Sequence, residues 1–323
     1  MSDLRRAAGI LKRGGLVAFP TETVYGLGAD ASSREAIARL YRVKGRPLDH
    51  PVIVHFADAE GALGWAREVP ESARALAAKF WPGPLTLILK RARNVGDFVT
   101  GGQDAVGVRV PAHPIAQALL EEFGGEGGGR RYSGVAAPSA NRHGRVSPTT
   151  AQHVRDDLGH DVDCVLDGGA CGVGIESTIV DFSDRRPRLL RPGGISAALL
   201  EEALGGKMMP PDPGAPRAPG ALATHYAPRT PARLVRTDAL TEEIAKLGSH
   251  AAVLAFGVPD AHVDYWLRMP REPQGYARRL YASLRELDRT GCEVILIERP
   301  PESPEWSAVL DRLRRAAGPS IGA

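Results

Sequence analysis

A run of prolines divides the sequence into two parts. Seven prolines fall between Lys207 and Pro231. Because proline lacks the backbone N–H that a helix interior or a central strand requires, this segment belongs to neither. At 323 residues the chain is also long for one hydrophobic core. We therefore predict domains at residues 1–200 and 232–323, joined by a proline-rich linker at residues 201–231.

Composition excludes several protein classes. The contents of 43% hydrophobic and 24% charged residues are ordinary globular values, and a formal net charge of +3 is too small to indicate a nucleic-acid-binding surface. Three cysteines form no CxxC pair, which argues against a disulfide framework and a zinc cage. No segment approaches the roughly 20 apolar residues of a membrane span, and the N-terminus lacks a signal-peptide core. We expect a soluble cytoplasmic protein with no membrane partner.

Hydrophobic periodicity predicts intermixed helices and strands over the first domain, which indicates an α+β arrangement with a mixed sheet. Strand and helix patterns alternate after the linker and indicate a small α/β domain. Residues 124–134, GGEGGGRRYSG, have no apolar periodicity. We interpret them as a glycine-rich surface insertion.

Six polar clusters interrupt or follow apolar strands, where side chains can converge on a crevice. The sequence Lys44-Gly45-Arg46-Pro47 offers two cations to a polyphosphate, although an exposed helix end is the commoner explanation of such a pair. Arg109 interrupts an apolar strand, where burial is costly unless an anion pairs with it. An edge strand facing water is the alternative explanation for Arg109.

The sequence lacks a GxxxxGK phosphate loop, a strand-linked GxGxxG fingerprint, an HExxH motif and a GxSxG elbow. No candidate covalent nucleophile stands beside a base. This combination indicates a site that works on a nucleotide by positioning and charge stabilisation.

Nine motifs in register resemble the threonylcarbamoyl-AMP synthase family: PTETVYGLGADA, KGRP, HPVIVH, WPGPLTLIL, VGVRVP, APSAN, SPT, GIESTIVD and LLRPG. They cover Leu4 to about Ser196, and HYAPRTP, LYASLRELDRTG and DRLRRAA are similar to the longer, two-domain members. The resemblance implies an α/β fold of α+β character. A twisted mixed sheet would surround a large basic cavity, followed by the linker and a small Rossmann-like α/β domain.

The resemblance implies an enzyme that makes threonylcarbamoyl-AMP from L-threonine, bicarbonate and ATP and releases pyrophosphate. Magnesium would be held mainly by the ATP phosphates, and a separate tRNA threonylcarbamoyl transferase would consume the product. One alternative is a module that binds double-stranded RNA or tRNA through the same arginines without turnover. Another is a carbamoyl-transfer domain of the hydrogenase-maturation type, which normally belongs to a longer, zinc-containing chain.

The family's site residues carry over to matching positions of this sequence. Lys44 and Arg46 would be catalytic and stabilise charge on the leaving pyrophosphate. L-Threonine would contact Thr23, His55, Arg109, Ser177 and the main chain of Ala137. ATP would contact Arg46, His50, Ser139, Ser147, Arg191, Tyr226 and the main chain near Ala105. Tyr226 would fold back over the cavity as a lid. The sequence departs from the family pattern at Gly220–Thr224, at His143 and at PEWSAV.

Overall fold

The structure, a computed structural model, describes residues 2–125, 133–184, 186–220, 224–259 and 261–318. The chain divides into two compact units. The N-terminal unit comprises Met1–His143, Pro148–Gly172 and Glu176–Ala221, and the C-terminal unit comprises Gly144–Ser147, Val173–Ile175 and Leu222–Ala323. Most of the insertion predicted at residues 124–134 lies outside the described residues.

Within the described residues, the N-terminal unit is built on a ten-stranded sheet. Its strands are β1 (Val17–Phe19), β2 (Gly26–Asp30), β3 (Ile53–His55), β4 (Ala66–Glu68), β5 (Leu85–Arg91), β6 (Ala105–Arg109), β7 (Val135–Ala136), β8 (Cys164–Val165), β9 (Thr178–Asp181) and β10 (Arg188–Arg191). They lie in the order β10-β9-β5-β6-β3-β7-β2-β1-β8, and β4 pairs with β5. The β1–β8, β3–β6 and β5–β9 pairs are parallel, whereas β5–β6 and β3–β7 are among the antiparallel pairs. The sheet is therefore mixed.

Helices cover both faces of this sheet. They are α1 (Ser2–Lys12), α2 (Arg34–Lys44), α3 (Ala59–Leu63), α4 (Glu71–Phe80), α5 (Asp97–Thr100), α6 (Pro114–Gly124), α7 (Ala151–Leu158) and α8 (Ala197–Leu204). Along β1, Val17 and Phe19 join the apolar cluster formed with α1 and α6, whereas Ala18 joins the larger cluster that includes α2 and α4. This alternation follows the two-residue period of a strand and leaves both faces of β1 buried.

The helices begin where the sequence supplies capping side chains. Ser33, Thr150 and Ser196 each accept a hydrogen bond from the backbone N–H three residues further on. These bonds satisfy amides that would otherwise lack a partner within the first helical turn. Helices α2, α7 and α8 therefore have starts that are encoded locally.

The C-terminal unit contains a second, smaller sheet. Its strands are β11 (Ala232–Val235), β12 (Ala251–Ala255), β13 (Tyr265–Arg268) and β14 (Val294–Glu298), all parallel, in the order β11-β14-β12-β13. Helices α9 (Leu240–Leu247), α10 (Pro273–Leu287) and α11 (Ser307–Ala317) complete it, with single 3-10 turns at Thr237–Ala239, Gly248–His250 and Pro304–Trp306. A further 3-10 turn, Gly159–Asp161, belongs to the N-terminal unit. The large mixed sheet and the small parallel sheet confirm the predicted fold class. In the described ranges, the search for a helix long and apolar enough to cross a membrane finds none.

Candidate active site

Arg109 ends β6 inside the sheet, between β5 and β3, and only 4% of the residue is exposed. Its Nε donates to the Gly83 carbonyl at 3.3 Å and its Nη1 to Thr23 Oγ1 at 3.0 Å. Nη2 forms an ion pair with Glu22 Oε1 at 2.5 Å. The water-facing edge strand is therefore excluded, and the buried cation has both hydroxyl and carboxylate partners.

His55 lies beside Arg109 in the parallel register of β3 and β6. The residue is buried, and its Nδ1 has no hydrogen-bond partner in the part of the chain that the structure describes. Burial, and then the charge of Arg109, lower the pKa of His55 to about 3. The ring is therefore neutral near pH 7. A buried ring nitrogen without a partner is the kind of group that a polar ligand satisfies.

The main chain of Ala137 approaches the same region. Ala137 N donates to the Ile53 carbonyl at 3.0 Å, so any contribution of its backbone to a ligand has to come from the carbonyl oxygen. A Cβ atom on Gly26 would lie 3.1 Å from the Ala137 side chain. Glycine at position 26 thus allows β2 to approach this segment closely.

Ser177 and Arg191 form a second group of predicted residues. Arg191 Nε donates to the Ser177 carbonyl and its Nη2 to Ser177 Oγ, both at 3.0 Å. Thr86 Oγ1 lies 2.8 Å from Ser177 Oγ. Arg191 Nη1 donates to the Pro219 carbonyl at 2.9 Å, which ties the proline-rich segment to β10. The arginine therefore orients a serine and anchors the linker.

Lys44 and Arg46 flank the end of α2. The turn is a Schellman motif, because Gly45 N donates to the Arg42 carbonyl at 3.1 Å and Arg46 N to the Tyr41 carbonyl at 2.9 Å. Gly45 has φ 63°, in the left-handed region that favours glycine. Both cations are buried, so the exposed helix end is excluded as the explanation of this motif.

The two cations are held by carbonyl groups. Lys44 Nζ donates to the Ser139 and Asn141 carbonyls, each at 2.5 Å. Arg46 Nη2 donates to the Pro51 carbonyl at 2.7 Å. Burial, followed by the charge of Arg46, holds the pKa of Lys44 well below its ordinary value. Ser139 is therefore brought to Lys44 through its backbone carbonyl.

Two histidines lie beside these cations. The rings of His50 and His143 meet edge-on, with centroids 5.5 Å apart, and His143 N donates to the Lys44 carbonyl at 2.8 Å. Burial, and then the charge of Arg46, lower the pKa of both rings, that of His143 to about 4. His143 is one of the positions where the sequence departs from the family pattern.

The proline-rich segment crosses a pocket of the N-terminal unit. Arg217 N donates to Gln103 Oε1 at 2.6 Å, and Gln103 Nε2 donates to the Arg217 carbonyl at 3.1 Å. The Arg217 guanidinium donates to the carbonyls of Asp49 and Gly101. The pocket beneath is lined by Pro51, Val52, Ile53, Thr86, Ile88, Gln103, Ala105, Gly107, Ile179, Pro216, Arg217 and Pro219. Ala105, near which the main chain is predicted to contact ATP, is thus part of its wall.

Ser147 and Tyr226 belong to the C-terminal unit. The Ser147 carbonyl accepts from Arg285 Nε at 3.4 Å. Tyr226 is buried, stacks on Tyr281 with ring centroids 5.8 Å apart, and lies 5.2 Å beneath the Arg312 guanidinium. Its φ of 60° is uncommon for a residue with a side chain. Contacts of Ser147 and Tyr226 with a nucleotide stay predictions.

The predicted residues therefore fall into local groups: Thr23 with Arg109 and His55, Ser177 with Arg191, Lys44 with Ser139, and Arg46 with His50. Four further residues take part in these contacts without having been predicted as site residues: Glu22, Thr86, Gln103 and Arg217. Glu22 lies in the PTETVYGLGADA motif, and its position between two threonines after a proline could have indicated a role in the site. Gln103 and Arg217 are 114 residues apart, and no local pattern links them.

Fold and site together define a two-unit α/β protein with a large mixed sheet, a small parallel sheet and buried arginines at its candidate site. Residues 9–193 match the family model described as "Telomere recombination", and residues 195–318 match "Threonylcarbamoyl-AMP synthase, C-terminal domain". The chain is 41% identical to the threonylcarbamoyl-AMP synthase of Pyrococcus abyssi, over 98% of this chain and 94% of the relative. It is 39% identical to the threonylcarbamoyl-AMP synthase of Bacillus subtilis, over 98% of this chain and 93% of the relative.

A solved structure agrees with these sequence relatives. The crystal structure of P. abyssi Sua5 complexed with L-threonine matches with a TM-score of 0.89 and 40% identity, over 97% of this chain and 94% of that one. The chain belongs to the threonylcarbamoyl-AMP synthase family, in its two-domain form.

Proposed function

We propose that this protein makes threonylcarbamoyl-AMP from L-threonine, bicarbonate and ATP, releasing pyrophosphate, in the cytoplasm. The observation that carries the proposal is the buried contact of Arg109 with Thr23 beside His55, whose Nδ1 has no hydrogen-bond partner among the described residues. A guanidinium, a hydroxyl and a neutral imidazole together match the carboxylate and hydroxyl of threonine. The P. abyssi relative, whose structure was solved with L-threonine, supports this assignment.

The proposed reaction begins when the neutral threonine amine attacks the carbon of bicarbonate. A C–N bond forms, a C–O bond of bicarbonate breaks, and the oxygen leaves as water with a proton from the amine, which gives the carbamate. A carbamate oxygen then forms a bond to the α-phosphorus of ATP, and the bond from that phosphorus to the bridging oxygen of the β-phosphate breaks. Negative charge grows on the departing pyrophosphate. Lys44 and Arg46 are the buried cations that would stabilise it. Burial lowers the pKa of Lys44, and the negative charge of a bound triphosphate would oppose this effect by favouring the protonated amine.

The remaining predicted residues have binding roles in this proposal. Ser177 and the Ala137 carbonyl complete the threonine pocket, while His50, Ser139, Ser147, Arg191, Tyr226 and the backbone near Ala105 contact ATP. Magnesium would come with the triphosphate and neutralise part of its charge. In the described ranges, no group of three or more His, Cys, Asp or Glu side chains could hold a metal ion. A tRNA threonylcarbamoyl transferase would take the product.

The test is pyrophosphate release from ATP with magnesium, with and without threonine and bicarbonate, beside mass detection of the adenylate. We expect release to require both co-substrates. Lys44→Met keeps the volume of the buried side chain but removes its charge, and should lower the rate by roughly 100-fold or more while L-threonine still binds. Lys79→Met, at an exposed lysine of α4, is the matched control. Salt-sensitive RNA binding without threonine-dependent turnover would instead support the RNA-binding alternative.

A further inference from the structure

Glu22 is held at both carboxylate oxygens. Oε1 pairs with Arg109 Nη2 at 2.5 Å, and Oε2 accepts from Ala112 N at 3.0 Å. The Glu22 side chain is 15% exposed and that of Arg109 is 5% exposed, so Glu22 is the more solvent-accessible member of the pair. Arg109 and the backbone of Ala112 therefore fix the orientation of this carboxylate.

Arg109 keeps donors for a ligand while it is paired. A guanidinium has five N–H groups, and in the described contacts Arg109 directs one each to Gly83, Thr23 and Glu22. Two parallel N–H groups are enough to hold a carboxylate in the bidentate manner. The ion pair with Glu22 is thus compatible with a second anion on the same arginine.

The pair as a whole is neutral and has two adjacent opposite charges. Arg109 Nη2 and Glu22 Oε1 are 2.5 Å apart, and the nitrogen and carboxyl carbon of an α-amino acid are also about 2.5 Å apart. A zwitterion can therefore lie with its carboxylate on Arg109 and its ammonium on Glu22. A plain carboxylic acid gains the first contact but is repelled by the Glu22 charge.

From this arrangement we infer that Glu22 recognises the ammonium group of threonine and makes the pocket selective for α-amino acids over hydroxy acids of the same shape. The inference rests on the proposed function, because it assigns the threonine carboxylate to Arg109. Glu22 acts here as a specificity-determining residue in direct contact with the substrate. A carboxylate that only clamps Arg109 in place would not distinguish between the two kinds of acid.

The experiment is calorimetric titration of the full chain with L-threonine and with 2,3-dihydroxybutanoate of matching configuration, in which a hydroxyl replaces the ammonium. The native protein should bind threonine at least roughly tenfold more tightly than the analogue. In Glu22→Gln, threonine should bind more weakly and the analogue equally or more tightly, so that the preference falls to about threefold or less. Glu121→Gln, at an exposed glutamate of α6, should keep the native preference.

Glu22→Asp separates charge from shape, because it keeps the carboxylate but shortens its reach. It should retain the preference for threonine even if both ligands bind more weakly. Equal weakening of both ligands in Glu22→Gln would overturn the inference and leave Glu22 as a clamp for Arg109. Failure of the native protein to bind L-threonine at all would instead overturn the proposed function.

Discussion

His55 shows how burial and a neighbouring charge set the protonation of one residue. The burial of the imidazole, and then the guanidinium of Arg109, disfavour the charged form of His55. The neutral ring can accept or donate a hydrogen bond without adding charge to the pocket. His55 is therefore a neutral neighbour of the Arg109–Glu22 ion pair.

The pKa of His55 makes stability depend on pH. The unfolded ring has a pKa near 6.5 and the folded ring one of about 3, so below pH 6.5 the unfolded state binds a proton that the folded state does not. The free energy of unfolding then falls with decreasing pH, by at most about 1.4 kcal/mol per unit from this residue. Between pH 6.5 and 4.5, the free energy of unfolding measured with urea should fall by about 2 kcal/mol less in His55→Asn than in the native protein. The exposed His160→Asn should follow the native curve, and parallel curves for His55→Asn would contradict the prediction.

Arg109 gives a second prediction for a single side chain. Arg109→Lys keeps the positive charge but cannot reach Gly83, Thr23 and Glu22 with a planar fork. The Michaelis constant for threonine should rise by roughly tenfold or more, because the bidentate contact with its carboxylate is lost. The Michaelis constant for ATP should change much less. A rise of equal size for both substrates would indicate general disruption instead.

At the scale of elements, the end of α2 places Lys44 and Arg46. Gly45→Ala introduces no steric contact, since no atom lies within 4 Å of the added Cβ, but φ 63° disfavours a side chain. The free energy of unfolding should fall by about 1 kcal/mol, and pyrophosphate release should slow. Gly45→Asn should cost less, because asparagine tolerates this conformation better. At Gly206, too, an added Cβ would have no atom within 4 Å, so Gly206→Ala should leave the free energy of unfolding nearly unchanged. An equal fall of this free energy in both alanine variants would show that the φ of Gly45 is not the cause.

Many of the helices and strands could be predicted from the sequence. The features that could not be predicted depend on residues that are distant in the sequence. Apolar periodicity and capping side chains such as Ser33 and Thr150 mark helices locally, and Arg109 was recognisable because a charge in an apolar strand needs a partner. The order of the strands in the sheet could not be predicted from the sequence. The two-residue strand β7 joins β2 to β3, and so short a segment carries no periodicity of its own.

At the scale of the whole molecule, the linker is tied to the N-terminal unit by Gln103. Its amide makes two hydrogen bonds with the backbone of Arg217, so Gln103→Ala should free this segment locally. Trypsin should then cleave after Arg217 several-fold faster than in the native protein. Gln152→Ala, which removes an exposed amide bonded to Asp156 on α7, is the matched control. An unchanged cleavage rate in Gln103→Ala would mean that other contacts hold the linker.

Residues 144–147 and 173–175 lie among the first 200 residues but belong to the C-terminal unit. Ala227 N donates to the Gly144 carbonyl at 2.9 Å, and Arg285 contacts the Ser147 carbonyl. On the ribosome these two segments emerge well before β11–β14 exist. The nascent chain must therefore carry them without their partners until synthesis is nearly complete. Assembly of the molecule thus waits for the last third of the chain, although all of the proposed substrate contacts except Tyr226 are encoded before it.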